Sequence, residues 1–342
     1  MATAVTHFAP PALTFTFAEP VTNSLSPRKI QEIKDLPKFN AHCHLGGEIP
    51  IEIIKKHGDK EQKRELKEGL AIVAKCKDYK KAFFIFPLIA RVINTHEILK
   101  KATIMTCERL KADNNKLVLM RTGLKPIEGK SLRDYLDTVL EGIREASSPD
   151  FLVLLMLSLK RSSTAETAKE TVDLALEYRS RGVLGIDISD ISTDGDIRNI
   201  MPQLEIAKEG NLKIAVHMGE LPNETDQMLI IKKLSPDFID HGVLLCPDAA
   251  SWIRENKIPV TVCLTSSLTL EMHPVNKAHP WIEQQDIGEH PIDLGTDDAT
   301  VFGNITLSNE LIRLTNDWGY ERVVAIAKKS FERAKQLFGS YP

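Results

Sequence analysis

The chain of 342 residues has no run of 18 apolar residues, so no membrane-spanning helix is expected. It also has no C-x-x-C pair: Cys43, Cys76, Cys107, Cys246 and Cys263 are scattered and odd in number. That distribution suits free thiols in a reducing compartment, and a cytoplasmic location is the expectation. No block of one charge sign is present, because 44 basic and 47 acidic side chains are intermixed for a net charge of −3. The sequence therefore carries no footprint of a nucleic-acid partner. The first 25 residues lack the basic start and compact apolar run of a secretory signal. They are Ser/Thr-rich with Glu19 as the one acid, as in an organelle transit peptide, but contain no arginine. Residues 1–30 read as a loosely ordered leader.

What the chain does have is 42% hydrophobic and 27% charged residues, the balance of an ordinary globular protein with enough apolar material for a core. Short apolar, β-branched runs alternate with amphipathic segments long enough for helices, which is the pattern of parallel βαβ units. Eight such runs occur: Phe39 to Leu45, Lys116 to Thr122, Phe151 to Leu159, Val183 to Ser189, Leu212 to Met218, Phe238 to His241, Pro259 to Leu264 and Pro291 to Gly295. Eight strands of this kind favour a closed barrel over an open sheet. The expected fold is α/β, a (β/α)8 TIM barrel forming one metal-dependent domain over residues 31–342. A helical insertion is expected at about residues 50–112, between the first and second strands, including a charged helix at Asp59 to Glu68. Phe83, Phe84 and Phe86 in that insertion fit either helical core packing or an apolar lid over a bound base. Ala165 to Arg181, Asn199 to Gly210 and Asn309 to Trp318 also have helical spacing, with Gly182, Gly210 and Gly319 at stopping positions.

Catalytic residues of such a barrel gather where the strands end. Strand 1 ends in His42-Cys43-His44, strand 5 in His217-Met218-Gly219-Glu220, strand 6 in His241-Gly242 and strand 8 in Thr296-Asp297-Asp298. His42 and His44 are two apart on a strand and share a face, so both imidazoles can reach one metal ion. With His217 and Asp297 they form an imidazole and carboxylate set suited to one Zn²⁺ per chain in an open catalytic site. Four protein ligands leave a position for water, whose pKa zinc lowers to about 7. Glu220, just past His217, suits a proton carrier, and His241 and Asp298 complete the ring. Strand 4 carries no lysine at its end, so a lysine-bridged two-metal site is not expected.

LPKFNAHCHLGGEI resembles the opening motif of the adenosine deaminase family, LPK-x-x-x-H-x-H-L, and GIDIS, VHMGE, DHG and LGTDDATVFG resemble its later signatures in the same order. The resemblance runs from Leu36 to Phe338. It implies hydrolytic deamination of adenosine or a related 6-aminopurine nucleoside, with a small-molecule purine as the partner. It also implies that His42, His44, His217 and Asp297 hold zinc while Glu220 protonates purine N1 during attack at C6. By the same resemblance His241 orients and deprotonates the water, Asp298 hydrogen-bonds purine N7, and Gly219 is a substrate-contacting position. Thr265-Ser266-Ser267 resembles the family's T-S-N turn with its last residue changed.

Two further departures fall on substrate positions. Gly46 stands where the family usually has Asp, Glu or Asn, the Asp contacting a ribose 5′-hydroxyl, with Glu48 close enough in sequence to take over. Asp190 stands where a glycine N–H meets purine N3, which would bring bulk and charge into the pocket. Adenine, N6-modified AMP and aminofutalosine therefore stay open as substrates. A barrel hydrolase acting on a lactone or amide would not need Glu220, and a catalytically inactive zinc-binding barrel acting as a binding protein remains a third reading. The zinc deaminases built on H-x-E and P-C-x-x-C are rejected by the missing C-x-x-C.

Overall fold

All eight apolar runs form strands in the computed structural model, which describes residues 25–75, 78–272, 274, 278–283 and 290–339. The strands are β1 (Lys38–His44), β2 (Asn115–Thr122), β3 (Leu152–Lys160), β4 (Val183–Ser189), β5 (Lys213–Met218), β6 (Phe238–His241), β7 (Val260–Val262) and β8 (Ile292–Leu294). They pair in parallel in sequential order, β1 through β8. The chain beyond β8 returns to β1: His44 N donates to Asp297 O at 2.9 Å and Asp297 N to His42 O at 3.0 Å. This closes the barrel at the point where two metal-ligand candidates meet a third.

β7 and β8 are shorter than their apolar runs. Pro259 and Pro291 have no N–H to donate, so each precedes the paired segment and offers only its carbonyl, to Ile239 N and Val260 N. Between β1 and β2 the chain is largely helical, with helices including Lys60–Val73, Ile85–Val92 and His96–Ala112. Asp59 starts the first through a capping box with Gln62, and Thr95 caps the last. Phe83 and Phe86 pack edge to face at 5.6 Å and lie partly against the core, while Phe84 is exposed. Ile85, Ile89 and Val92 carry the core packing there.

The leader expected over residues 1–30 falls mostly outside the described residues, and its boundary needs correction. Ser26 caps a helix, Pro27–Asp35, whose proline sits in the first turn where no intrahelical N–H is required. No single described helix is long and apolar enough to cross a membrane.

The barrel interior is layered. Phe39, Ala41, Leu117, Leu119, Leu154, Met156, Leu184, Ala215 and Phe238 fill its lower part, closed from below by Phe338. Because side chains two apart share a face, Leu119 is followed upward by Arg121, Ala215 by His217 and Phe238 by Asp240. β1 changes face between its apolar and polar halves through a register irregularity between Asn40 and Cys43. Ala41 therefore packs into the interior and His42 still points to the same axis.

Candidate metal centre and substrate pocket

The upper layer brings four donors to one point. His42 Nε2 lies 3.1 Å from His44 Nε2, which lies 2.9 Å from His217 Nε2. Asp297 Oδ1 is 3.3 Å from His42 Nε2 and 3.6 Å from His44 Nε2. Ligand atoms held at 2.0–2.1 Å around a tetrahedral ion would be about 3.3 Å apart, so this spacing fits one ion. His42, His217 and Asp297 are buried and His44 is nearly so.

Electrostatics favour a cation here. Burial opposes charge on His217, but Asp187 and, behind it, Glu220 and Asp240 outweigh it and push the ring up to about 10. Burial and repulsion from His42 and His217 hold His44 well below the usual histidine value. Burial would raise the Asp297 carboxyl, yet His42, His241 and His44 keep it well below the ordinary range. The surrounding carboxylates thus attract one positive charge, and three converging ring nitrogens cannot each carry a proton.

Outer contacts set which ring nitrogens face inward. His217 Nδ1 is 3.1 Å from Asp187 Oδ1. His42 Nδ1 is 3.0 Å from Asp240 Oδ1, a close contact lying off the ideal hydrogen-bond line. Carboxylates so placed hold the proton on Nδ1 and leave Nε2 for a ligand role. Arg121, fully buried, donates to Asp240 Oδ2 at 2.8 Å. Sequence reasoning assigned no role to Asp187, Asp240 or Arg121. For Arg121 and Asp240 the signal was a charged residue at an inward strand position directly above an apolar one, Leu119 and Phe238.

The other candidates surround this cluster. Glu220 is buried, with Oε1 at 3.5 Å from His241 Nε2 and Oε2 without a hydrogen-bond partner among the described residues. Burial keeps His241 below the usual histidine value, hence neutral, and its ring centroid is 5.2 Å from that of His42 and 5.1 Å from that of His217. Asp298 is buried and its carboxyl is raised well above the ordinary value, first by burial and then by Asp297 and Glu48. Its Oδ1 has no hydrogen-bond partner among the described residues. Gly219 has φ of 81°, and its carbonyl accepts from Leu244 N at 2.6 Å, drawing the ends of β5 and β6 together. Thr265, in a short helix (Leu264–Thr269) after β7, donates through its N–H to buried Glu310 at 3.0 Å.

The two departures look different in three dimensions. Gly46 is exposed, and a Cβ there would meet nothing within 4 Å. Glu48 is not available to replace a missing side chain, because Thr296 Oγ1 donates to its Oε1 at 2.5 Å and Arg109 pairs with its Oε2. Asp190 does not bring uncompensated charge into the pocket. Its Oδ1 accepts from Ile191 N at 2.9 Å and its Oδ2 lies 3.0 Å from Lys160 Nζ.

The family model described as adenosine deaminase matches residues 37–335. The chain is 30% identical over 309 residues to an N6-mAMP deaminase of Arabidopsis thaliana, covering 81% of this chain and 86% of the relative. It is 30% identical over 303 residues to an adenosine deaminase-like protein of Drosophila melanogaster, covering 85% and 88%. Among solved structures it is similar to an Arabidopsis ADAL complexed with IMP, with a TM-score of 0.79, 29% identity and coverage of 88% and 93%.

Proposed function

The chain belongs to the adenosine deaminase family, and on that premise we propose that it is a zinc-dependent hydrolase that removes the 6-amino group of purine nucleosides or their 5′-monophosphates, N6-methyl-AMP among them. The observation that carries this reading is the convergence of His42, His44, His217 and Asp297 within ligand distance beside Glu220 and His241. Zinc, when bound by those four residues, would lower the pKa of a water molecule to about 7. Glu220 gives a proton to purine N1 while the water oxygen adds to C6, and His241, neutral beforehand, takes the proton that the water gives up. His241 then passes that proton to the 6-amino nitrogen, the C6–N bond breaks as the C6 hydroxyl returns a proton to Glu220, and ammonia or methylamine leaves a 6-oxopurine behind. Asp298, whose burial favours its protonated form, would donate to N7. Gly46, Gly219 and Asp190 line the rest of the substrate.

Three features support a 5′-monophosphate as substrate. The space at Gly46 is open, and Glu48 is occupied by Arg109 and Thr296. β1 and β2 pair with His44 opposite Arg121, and β2 leads into Lys125, half-buried and without an ion pair among the described residues. The relatives above include an N6-mAMP deaminase and a protein complexed with IMP, itself a 6-oxopurine nucleotide.

The test is the fall in absorbance at 265 nm across adenosine, 5′-deoxyadenosine, adenine, AMP and N6-methyl-AMP, with metal analysis on the same sample. Activity on a 6-aminopurine with about one zinc per chain is expected. Turnover of none of them by zinc-loaded protein would instead favour a binding protein. For the 5′ end, Gly46→Asp should depress kcat/KM for the monophosphates relative to adenosine. A strong preference of the parent for adenosine over 5′-deoxyadenosine, unchanged by Gly46→Asp, would refute the 5′ assignment.

A further inference from the structure

We propose that Arg121 is a positioning residue for the metal centre, one guanidinium that holds Asp240 and Asp187 and, through them, the ring planes and tautomers of His42 and His217. The inference rests on the zinc reading above but concerns a side chain that touches neither substrate nor metal.

Arg121 ends the inward face of β2, directly above Leu117 and Leu119, and is fully buried. Its Nη2 donates to Asp240 Oδ2 at 2.8 Å, and its Nε stands 3.9 Å from Asp187 Oδ1. The opposite oxygen of Asp240 faces His42 Nδ1 at 3.0 Å, and Asp187 Oδ1 faces His217 Nδ1 at 3.1 Å. Two of the three imidazoles are thus each backed by a carboxylate, and both carboxylates lie against one cation. Two buried carboxylates without that cation would repel each other, and neither would stay in place behind its imidazole. Arginine suits the position because it stays charged when buried and its planar fork addresses several acceptors at once.

The third nitrogen has a separate task. Arg121 Nη1 donates to Ala41 O at 2.6 Å and to Leu119 O at 2.8 Å. Ala41 lies inside the irregularity between Asn40 and Cys43 where β1 changes face. The same guanidinium therefore pins the backbone that turns His42 inward and the carboxylate that holds the ring once it is there. A lysine has one nitrogen for these duties and cannot span them.

The experiment measures zinc directly. Zinc dissociation constants are obtained by chelator competition for the parent, Arg121→Lys, Asp240→Asn and the double variant, with the melting temperature of each apoprotein and the absorption spectrum of each cobalt-substituted form. Outer contacts of metal-ligating histidines typically contribute 10- to 100-fold in metal affinity. Arg121→Lys should weaken zinc binding by about that factor and alter the cobalt spectrum. The double variant should lose less than the product of the two single losses, because both act through the His42 ring. Unchanged zinc affinity and cobalt spectrum in Arg121→Lys would overturn the proposal, as would losses that multiply as for independent sites. If Arg121→Lys does not fold, Asp240→Asn decides alone: zinc affinity equal to the parent's overturns the proposal. A parent that binds no zinc would count against the functional reading, whereas a zinc-binding, active parent with indifferent variants would count against Arg121 alone.

Discussion

Gly46 and Gly47 are adjacent in sequence, yet a single added methyl should have opposite consequences at the two positions. A Cβ on Gly46 meets nothing within 4 Å. A Cβ on Gly47 would stand 1.8 Å from Asp298 Oδ1 and 2.4 Å from both Cβ and Cγ of the same residue. Rotating the Asp298 side chain relieves the first of these contacts but not the one to its own Cβ, so the backbone after β8 must shift. Asp298 is buried, its carboxyl is raised above the ordinary value, and it is proposed to donate to purine N7. Displacing it removes one partner from a buried hydrogen bond, a loss of about 1–3 kcal/mol, or about 5- to 150-fold in kcat/KM. Gly47→Ala should therefore lose activity by that factor, while Gly46→Ala stays within about twofold. The assay is the initial rate at 265 nm on the best substrate, with zinc content per chain measured in parallel. Gly47→Ala with parental kcat/KM, or Gly46→Ala falling as far, would refute the reasoning.

Two further outcomes are expected. Glu220→Gln keeps size while removing the proton, so turnover should drop by about 10²–10⁴ with zinc still bound, and near-normal turnover would remove Glu220 from the mechanism. Asp237, at the base of the barrel, is raised by burial, but contacts from Lys208, Ile214 N and Lys213 bring its carboxyl below the ordinary value. A depressed folded-state pKa contributes stability that is complete above the unfolded value of about 3.9 and is lost as pH falls through the folded value. Asp237→Asn should thus lower stability by about 1.5–3 kcal/mol at pH 7 and have a smaller effect near pH 3 in thermal melts. An equal effect at both pH values would contradict this assignment.

Strand positions were legible because a parallel strand buried on both faces reads as a continuous apolar run. His42, His44, His217 and Asp297 were legible for the same reason: imidazole and carboxylate at the upper ends of strands have few purely structural explanations. Arg121, Asp187 and Asp240 were not, since their meaning lies in partners across the barrel: Arg121 and Asp240 are 119 positions apart in sequence. The fate of Glu48 was hidden likewise. Nothing local to it announces Arg109, which arrives from a helix of the insertion, or Thr296, which arrives from the opposite end of the chain.

Asp190 shows how a departure from a family pattern can preserve the backbone while changing the side chain. The residues that leave β4, β5, β6 and β8 adopt left-handed backbone: Asp190 at φ 70°, Gly219 at 81°, His241 at 67° and Asp297 at 59°. Each turns the chain sharply at the strand end, and three of the four bear a side chain, so the conformation is held by the barrel around it. Glycine meets this demand most easily, and aspartate and asparagine are the side-chain-bearing residues that tolerate it best. At Asp190 the carboxylate stabilises the turn it occupies, accepting from the next residue's N–H at 2.9 Å, and Lys160 balances its charge at 3.0 Å. Replacing a glycine there with aspartate therefore leaves the turn in place and converts a bare backbone into an ion pair joining the ends of β3 and β4. Lys160 is largely exposed, so a negatively charged substrate group reaching that edge would compete with Asp190 for it without meeting an unbalanced carboxylate. On the proposed function, Asp190 would tune which groups are welcome at the rim, whereas His42, His44, His217 and Asp297 beside it, the proposed metal ligands, would keep the chemistry fixed.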